Sequence, residues 1–434
     1  MTYQETIEYL YSHLPVYQKI GSEAFKAGLD NSLALDAYFS HPHAKYKTIH
    51  VAGTNGKGSS SHLLAAILQQ AGYKVGLYTS PHLVDFRERI RVNGEKISEQ
   101  YIVDFIDKHR EVYEPIEPSF FELTMMMAFQ YFADMKVNVA IVEVGLGGRL
   151  DSTNIINPDL SVITNISFDH MQILGDTLEK IATEKAGIIK SDIPVVIGEA
   201  EGEVRKIFKD TADRVGTRIV FAEDEHIIKN SLKTASGWLL DTKYYLHLKG
   251  ELSGYAQIKN AATVLCAVKE LQSLGYVIPS KAVYNGFAYV TELTGLMGRW
   301  QVIQELHPKI VCDTGHNIAG IKYIVEQLAA EKYNTLHIVL GMVNDKDITS
   351  VLSLLPKNAV YYFTKASVPR ALDQMKLQEL AGKAGLTGYS YHTVDEAIQA
   401  AKEWARPNDF IFIGGSNFVV ADALLALDIS KTIK

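Results

Sequence analysis

Cysteine is nearly absent from this chain of 434 residues, which holds two, Cys266 and Cys312. Each lies in an apolar run, "ATVLCAV" and "KIVCDTG". Both therefore read as buried free thiols, and neither a disulfide framework nor a cysteine-rich metal site can be built from them. An excess of positive charge is missing too. Lys and Arg total 43 against 50 Asp and Glu, a net charge of −7. That excludes a general nucleic-acid binder, whose footprint is basic, but leaves room for a local basic pocket and small anionic substrates. No apolar run reaches the ~20 residues of a membrane-spanning helix. The most apolar helix-like stretch, "FFELTMMMAFQYFADM", is interrupted by Glu122 and Asp134. The opening "MTYQETIEYLYSHLP" is polar and acidic, unlike a secretory leader. Internal repeats and low-complexity segments are lacking as well. What remains, 47% hydrophobic and 21% charged residues, is an ordinary globular composition. The expectation is a cytoplasmic, monomeric enzyme with small-molecule substrates and no nucleic-acid or membrane partner.

What is present is alternation. Short β-rich runs, "KTIHVA", "VGLYTS", "NVAIVEVG", "LSVITNI" and "IPVVIG", are separated by amphipathic helical patterns. Near-continuous apolar strands of this kind mean a parallel sheet covered on both faces. The alternation restarts after "GLMGRW" with "KIVCDTG", "LHIVLGM", "AVYYFTK" and "DFIFIGG". The reading is two α/β domains: an N-terminal parallel-sheet ATPase domain over 1–297, and a smaller Rossmann-like domain over 298–434. The boundary falls between Thr294 and Gly298, where two glycines break the pattern. Residues from Gly198 to Gly250 are richer in charge and read as hairpins and surface strands.

The stretch "TIHVAGTNGKGS" ends a strand and opens a helix, "SSSHLLAAILQQAGY", with Leu64, Ile67, Leu68 and Ala71 on one face. Strand, glycine loop and helix are the context of a phosphate cradle. Backbone N–H groups converge on oxygen, the helix N-terminus adds partial positive charge, and Lys57 adds a full one. Gly53, Thr54, Asn55, Gly56, Lys57, Gly58 and Ser59 are the expected nucleotide contacts. The loop departs from the standard phosphate-binding pattern. Val51 stands where that pattern has its first glycine, and Gly58 stands where the hydroxyl follows the lysine, so Ser59 offers its hydroxyl one residue late. The plainer reading is a tight strand-to-helix turn with an exposed lysine.

The shifted hydroxyl resembles the loop of the Mur ligase superfamily, and within it the folylpolyglutamate synthases. The likeness continues in order along the chain through "YTSPHL", "RIRVNG", "VEVGLGGRLDSTN", "ITNISFDHM", "EKAGIIK", "QIKNAATVL", "GRWQ" and "DTGHN". In the last of these, Thr314 and Gly315 stand where the family pattern has Gly-Ala. The resemblance implies an ATP-dependent amide ligase that adds L-glutamate to a folate, and in some relatives to dihydropteroate. ATP and Mg²⁺ are its cofactors.

Ser80, Glu143 and His170 sit at or just beyond predicted strand ends, where ligands of open α/β sheets bind. The resemblance makes them the magnesium ligands. On spacing alone His170 is a hydrogen-bonding loop residue. Glu143, a lone carboxylate in an apolar strand, is costly there unless compensated; pairing with an arginine is the plainer alternative to a metal. From Thr177, a plausible N-cap, Leu178, Ile181, Ala182 and Lys185 recur at helical spacing, so Lys185 turns toward the apolar face. A snorkelling lysine and a buried, readily neutralised one fit that position equally; the resemblance implies a lysine carbamylated by CO₂. Ser80, Pro81 and His82 are expected in a folate loop, and Phe121 or Glu122 against the pteridine. The stripe of Phe121, Thr124, Met125 and Ala128 otherwise reads as core. "DFRERIRVNGEKI" reads as a hairpin with Arg87, Arg89 and Arg91 on a solvated face. Asn260, Arg299, Asp313 and His316 match residues that complete the family's nucleotide site between domains. His316 is expected to position phosphate without moving a proton. Asp313 equally suits an N-cap after a strand. Ser416 is expected near the incoming glutamate. Rival readings are a cell-wall precursor ligase of the same superfamily, a phosphate-loop kinase or ATPase, and a non-catalytic nucleotide switch.

Overall fold

A computed structural model describes residues 1–16, 21, 28–344 and 347–428. The chain divides into two compact units, Met1–Glu251 with Gln257–Leu296, and Leu252–Ala256 with the chain from Met297 onward.

The first unit is built on an eight-stranded sheet. Its strands are β1 (Lys47–Ala52), β2 (Val75–Tyr78), β3 (Ile90–Val92), β4 (Glu95–Lys96), β5 (Val139–Glu143), β6 (Leu160–Ile163), β7 (Val195–Ile197) and β8 (Ile219–Phe221). They lie in the order β4-β3-β2-β5-β1-β6-β7-β8. From β2 to β8 every pairing is parallel, and β3 and β4 add an antiparallel edge. The central strands are mostly apolar because helices cover both faces: Ile49, Val51, Val139, Ile141 and Val162 are fully buried, with Thr48, His50 and Ser161 buried among them. Register fixes the site. Val51, last but one in β1, lies opposite Glu143, the last residue of β5. Ala52 lies opposite Ile163 at the end of β6.

The helix Phe120–Asp134 begins with a capping box, in which Ser119 and Glu122 satisfy each other's backbone N–H. Its burial is wider than the single stripe that spacing suggests. Leu123, Met126, Met127, Phe129 and Phe132 are buried along with Met125 and Ala128. Phe132 is wholly enclosed, so Phe132→Ala is expected to cost about 3–5 kcal/mol through lost transfer energy and a cavity. Urea unfolding followed by circular dichroism checks it.

The charged stretch before Gly250 contains more than hairpins. Gly202–Val215 is an amphipathic helix, with Val204, Phe208 and Ala212 buried, and β8 joins the main sheet. A separate three-stranded antiparallel sheet follows, formed by β9 (Ile228–Thr234), β10 (Gly237–Thr242) and β11 (Leu248–Gly250).

The hairpin expectation around the three arginines needs correction. Phe86–Arg89 is a 3₁₀ turn capped by Asp85, and only β3 and β4 form the ribbon, joined through Asn93 and Gly94 at positive φ. Arg89 and Arg91 are buried rather than solvated, 3% and 2% exposed. Arg91 donates to Gly94 O at 2.8 Å. The Arg89 guanidinium lies over the Phe120 ring, 5.1 Å from its centre, and Nε donates to His82 Nδ1.

The second unit carries a six-stranded sheet. Its strands are β12 (Gln301–Gln304), β13 (Lys309–Asp313), β14 (Leu336–Leu340), β15 (Ala359–Phe363), β16 (Gly388–Ser390) and β17 (Phe410–Gly414). The order is β12-β13-β17-β14-β15-β16, parallel except for β12. Among the described residues no helix is long and apolar enough to cross a membrane.

Candidate active site

Four neighbouring strands, β2, β5, β1 and β6, deliver the candidate residues of the first unit at their C-terminal ends. This is the edge where open parallel sheets bind ligands. After β1 the chain turns sharply at Gly53, φ 143°, and Gly56, φ 84°. Neither tolerates a side chain. A Cβ on Gly53 would stand 1.9 Å from Thr164 Oγ1, and one on Gly56 would stand 2.3 Å from Asn260 Oδ1. Gly56 is the N-cap of the helix Lys57–Gln70 and provides no side-chain cap. The helix therefore presents its first N–H groups with its dipole intact, which suits an anionic oxygen. Lys57 curls over the same turn, donating to Gly53 O at 3.0 Å and Thr54 O at 3.3 Å.

Spacing could not reveal what holds this loop. The segment after β6 does so. Asn165 clasps Asn55 at both ends, its Oδ1 accepting from Asn55 N and its Nδ2 donating to Asn55 O, each at 3.0 Å. Thr164 Oγ1 donates to Asn55 O at 2.5 Å. Thr54 Oγ1 donates to Ser167 O at 3.1 Å and accepts from Ser167 N at 3.0 Å. Ser59 is buried and accepts from Gln257 Nε2 at 3.2 Å, while Asn260 Nδ2 donates to Gln257 Oε1 at 2.9 Å. The "TNIS" and "QIKN" segments are thus the second wall of the glycine turn. Gly53→Ala is expected to raise the KM for ATP at least about tenfold, ~1.4 kcal/mol, since both φ and space forbid a methyl. Initial-rate kinetics over an ATP series checks it.

Glu143 is 4% exposed, and its Oε2 accepts from the backbone N of Ser80 at 3.1 Å. One hydrogen bond thereby brings the ends of β2 and β5 together beside the loop. A buried carboxylate needs positive compensation. Carboxylate and hydroxyl oxygens with a nearby phosphate loop form the hard donor set that Mg²⁺ takes. His170 follows β6 at φ 51°, at the N-cap position of the short helix Met171–Leu174 but without a side-chain cap. It stays partly exposed next to Asp169.

Lys185 lies in the helix Leu178–Ala186, which Thr177 caps by accepting from Lys180 N. The whole residue is buried, 4% exposed. Burial, with the Lys57 charge adding to it and Asp169 and Asp151 opposing, pulls its amine down to about 7. The burial has a local cause. Gly148 packs so closely that a Cβ there would be 2.9 Å from Lys185 Cα, and Arg149 N donates to Glu184 O at 2.7 Å. The "GLGGR" loop therefore seals the last turn of the helix. Beside it Asp151 accepts from Leu146 N, Thr153 N and the Thr153 hydroxyl, which in turn accepts from His50 Nε2.

Of the expected folate residues, Ser80 is half-buried and Pro81 exposed. His82 is gripped from both sides, by Arg89 at Nδ1 and by the Tyr11 hydroxyl at 3.0 Å from Nε2. Burial and the Arg89 charge push its pKa well below the ordinary value, so the ring is neutral. Phe121 packs 5.8 Å from Tyr78 and lies over Gly145. Glu122 Oε2 accepts from the Ser119 backbone N–H at 2.6 Å and from Asn31 Nδ2 at 3.4 Å.

In the second unit Asp313 ends β13 opposite Gly414 of β17, so Asp313 and Ser416 share one sheet edge. Asp313 is not the helix cap. It accepts from Trp300 N and Gly315 N, both at 2.7 Å, and Asn317 caps the helix Ile318–Ala330 instead. Burial raises its carboxyl above the usual range against those donors and Arg299. Arg299 donates to the Thr314 hydroxyl, which donates to Gly298 O at 3.0 Å. The threonine that departs from the family pattern thus ties Arg299 to the Asp313 loop. His316 Nδ1 donates to Thr314 O at 2.9 Å. Ser416 caps the helix Asn417–Ala426 by accepting from Val419 N.

Comparison with known proteins follows this division. Residues 51–268 match the family model of the Mur ligase middle domain, and residues 298–417 that of the Mur ligase glutamate ligase domain. The dihydrofolate synthase/folylpolyglutamate synthase of Bacillus subtilis is 34% identical over 92% of this chain and 94% of its own length. The Mycobacterium tuberculosis folylpolyglutamate synthase, solved with ADP and AMPPCP, superposes with a TM-score of 0.87 at 30% identity, covering 98% of each chain. A bifunctional folylpolyglutamate synthase/dihydrofolate synthase solved with Mn, AMPPNP and L-glutamate superposes at 0.83 and 28% identity, over 99% of this chain and 98% of that one.

Proposed function

This chain belongs to the folylpolyglutamate synthase family of Mur ligases, and from that premise we propose how its own residues divide the work. The reaction is ATP-dependent ligation of L-glutamate to the γ-carboxylate of a folate, with ADP and phosphate released. ATP and a divalent metal are its cofactors. One observation carries the assignment of residues: a buried carboxylate, Glu143, sits one strand over from the phosphate loop and bonds the backbone of Ser80.

Lys57 and the amides of Gly53 to Ser59 grip the triphosphate, with Lys57 exchanging its loop carbonyls for phosphate oxygens. Ser80, Glu143 and His170 would hold Mg²⁺, which neutralises charge building on the transferred phosphoryl group. The folate lies between the Ser80–His82 segment and Phe121, and its terminal carboxylate takes the γ-phosphoryl group to form an acyl phosphate. The amine of free glutamate, seated near Ser416, attacks that carbonyl and expels phosphate. Asn260, Arg299 and Asp313 hold the nucleotide, and His316 orients phosphate. Lys185 works as a carbamate. The neutral amine adds CO₂ and loses a proton, so a buried cation becomes an anion that organises the metal ligands. Its lowered pKa supports this, because only the unprotonated amine reacts.

Phosphate release strictly dependent on both glutamate and a folate is the expected result. Release with ATP alone would favour a plain ATPase. Parallel assays with dihydropteroate and with a reduced folate monoglutamate decide which carboxylates are accepted.

A further inference from the structure

Away from this site, three metal-binding side chains converge where the helix Asp30–Tyr38 runs into β1. Asp36 lies in the last turn of that helix, and His41 and His43 flank Pro42 in the short 3₁₀ turn Pro42–Lys45 that leads to Lys47. His41 Nδ1 stands 2.6 Å and His43 Nε2 3.2 Å from Asp36 Oδ2. All three ligand atoms lie within 4.8 Å of one another.

We propose that Asp36, His41 and His43 bind a divalent transition-metal ion of the zinc class. Two imidazoles and a carboxylate are the nitrogen and oxygen donors that Zn²⁺ takes, and the wrong set for Mg²⁺. Around a tetrahedral ion with bonds of about 2.0–2.1 Å, ligand atoms stand roughly 3.3–3.5 Å apart, so small side-chain rotations suffice here. A hydrogen-bonded turn alone explains the cluster less well. Both imidazoles use the same oxygen, Oδ2, while Asp36 Oδ1 is buried and accepts no hydrogen bond from the described residues. Asp36 is 3% exposed, and a buried carboxylate oxygen without a donor is destabilising. A cation beside it removes that cost. The His41 side chain is 63% exposed, which gives the ion an entry path and leaves a coordination position for water. Its backbone is left-handed, φ 52°, and the preceding Ser40 is too, φ 58°; the turn holds the ring over Asp36. The ion would clamp the end of one helix to the turn that feeds β1.

The test is calorimetric titration of the whole chain with Zn²⁺ in saturating Mg²⁺, which keeps the catalytic metal positions occupied. One Zn²⁺ per chain is expected. His41→Asn, which tolerates the left-handed backbone, and His43→Gln should each weaken binding at least about tenfold. Ligase activity in Mg²⁺ should be unchanged in both. Co²⁺ added in the same way should give the strong visible absorption of a four-coordinate site, and Zn²⁺ should raise the melting temperature of the wild-type chain alone. Absence of Zn²⁺ binding under saturating Mg²⁺ overturns the proposal, and so does binding that both variants retain in full.

Discussion

Lys57→Ala is expected to abolish turnover while the protein keeps its fold. Lys57 is the first residue of its helix, where alanine is at least as good a helix former, and among the described residues its ammonium bonds carbonyls of its own loop, Gly53 O and Thr54 O. Little structure rests on it. In the mechanism proposed above its charge meets the β- and γ-phosphates, where negative charge accumulates as the phosphoryl group leaves. Removal of one such preorganised donor costs about 10²–10³ in rate, and more where a full charge is lost. The variant's far-ultraviolet circular dichroism should match wild type, and its melting temperature should stay close. Near-normal glutamate ligation by Lys57→Ala would remove the phosphate loop from the mechanism.

The second large effect belongs to Lys185. Lys185→Met keeps the bulk and apolar character of the buried stem but cannot add CO₂. It should fold well, because it removes an ammonium that burial disfavours, and it should lose about 10²–10³ of activity if the proposed carbamate organises the metal ligands. The wild-type enzyme should share part of that loss in CO₂-free buffer and regain it with bicarbonate. The sign with pH is fixed by the lowered pKa of about 7. Above that value the amine is neutral and reacts; below it the amine is protonated and does not. Recovery with bicarbonate should therefore slow as pH falls from 8 through 7 to 6. A well-ordered crystal structure showing a bare amine at Lys185 Nζ, with full activity in CO₂-free buffer, would eliminate the carbamate.

The parts of this molecule legible in its sequence are those governed by short-range rules. β1, β5, β6 and β17 stand out because strands buried on both faces are predominantly apolar, and Thr177 announced its helix because a capping hydroxyl satisfies orphan N–H groups wherever it occurs. Lys185 could be placed on an apolar face by spacing, yet its sealing by Gly148 and Arg149 could not, since those residues come from a loop more than thirty positions earlier in the chain. The buried Arg89 and Arg91 defeated the alternation rule for a related reason. Arginine is read as solvated unless a partner is visible, and their partners, His82, Phe120 and Gly94, are supplied by the fold. Asp313 looked like a cap because it follows a strand, but the cap falls to Asn317 once Trp300 and Gly315 occupy the aspartate. The clasp of Asn165 on Asn55 was invisible for want of any local signal.

That clasp has a consequence for anyone who would retune the enzyme. The same few residues that splint the nucleotide turn, Thr164 to Ser167, run directly into Asp169 and His170. The proposed grip on the triphosphate and the placement of the histidine are therefore two ends of one splint. Selection for a looser hold on ATP through this segment would drag the histidine with it, and the two properties cannot drift apart by single steps there.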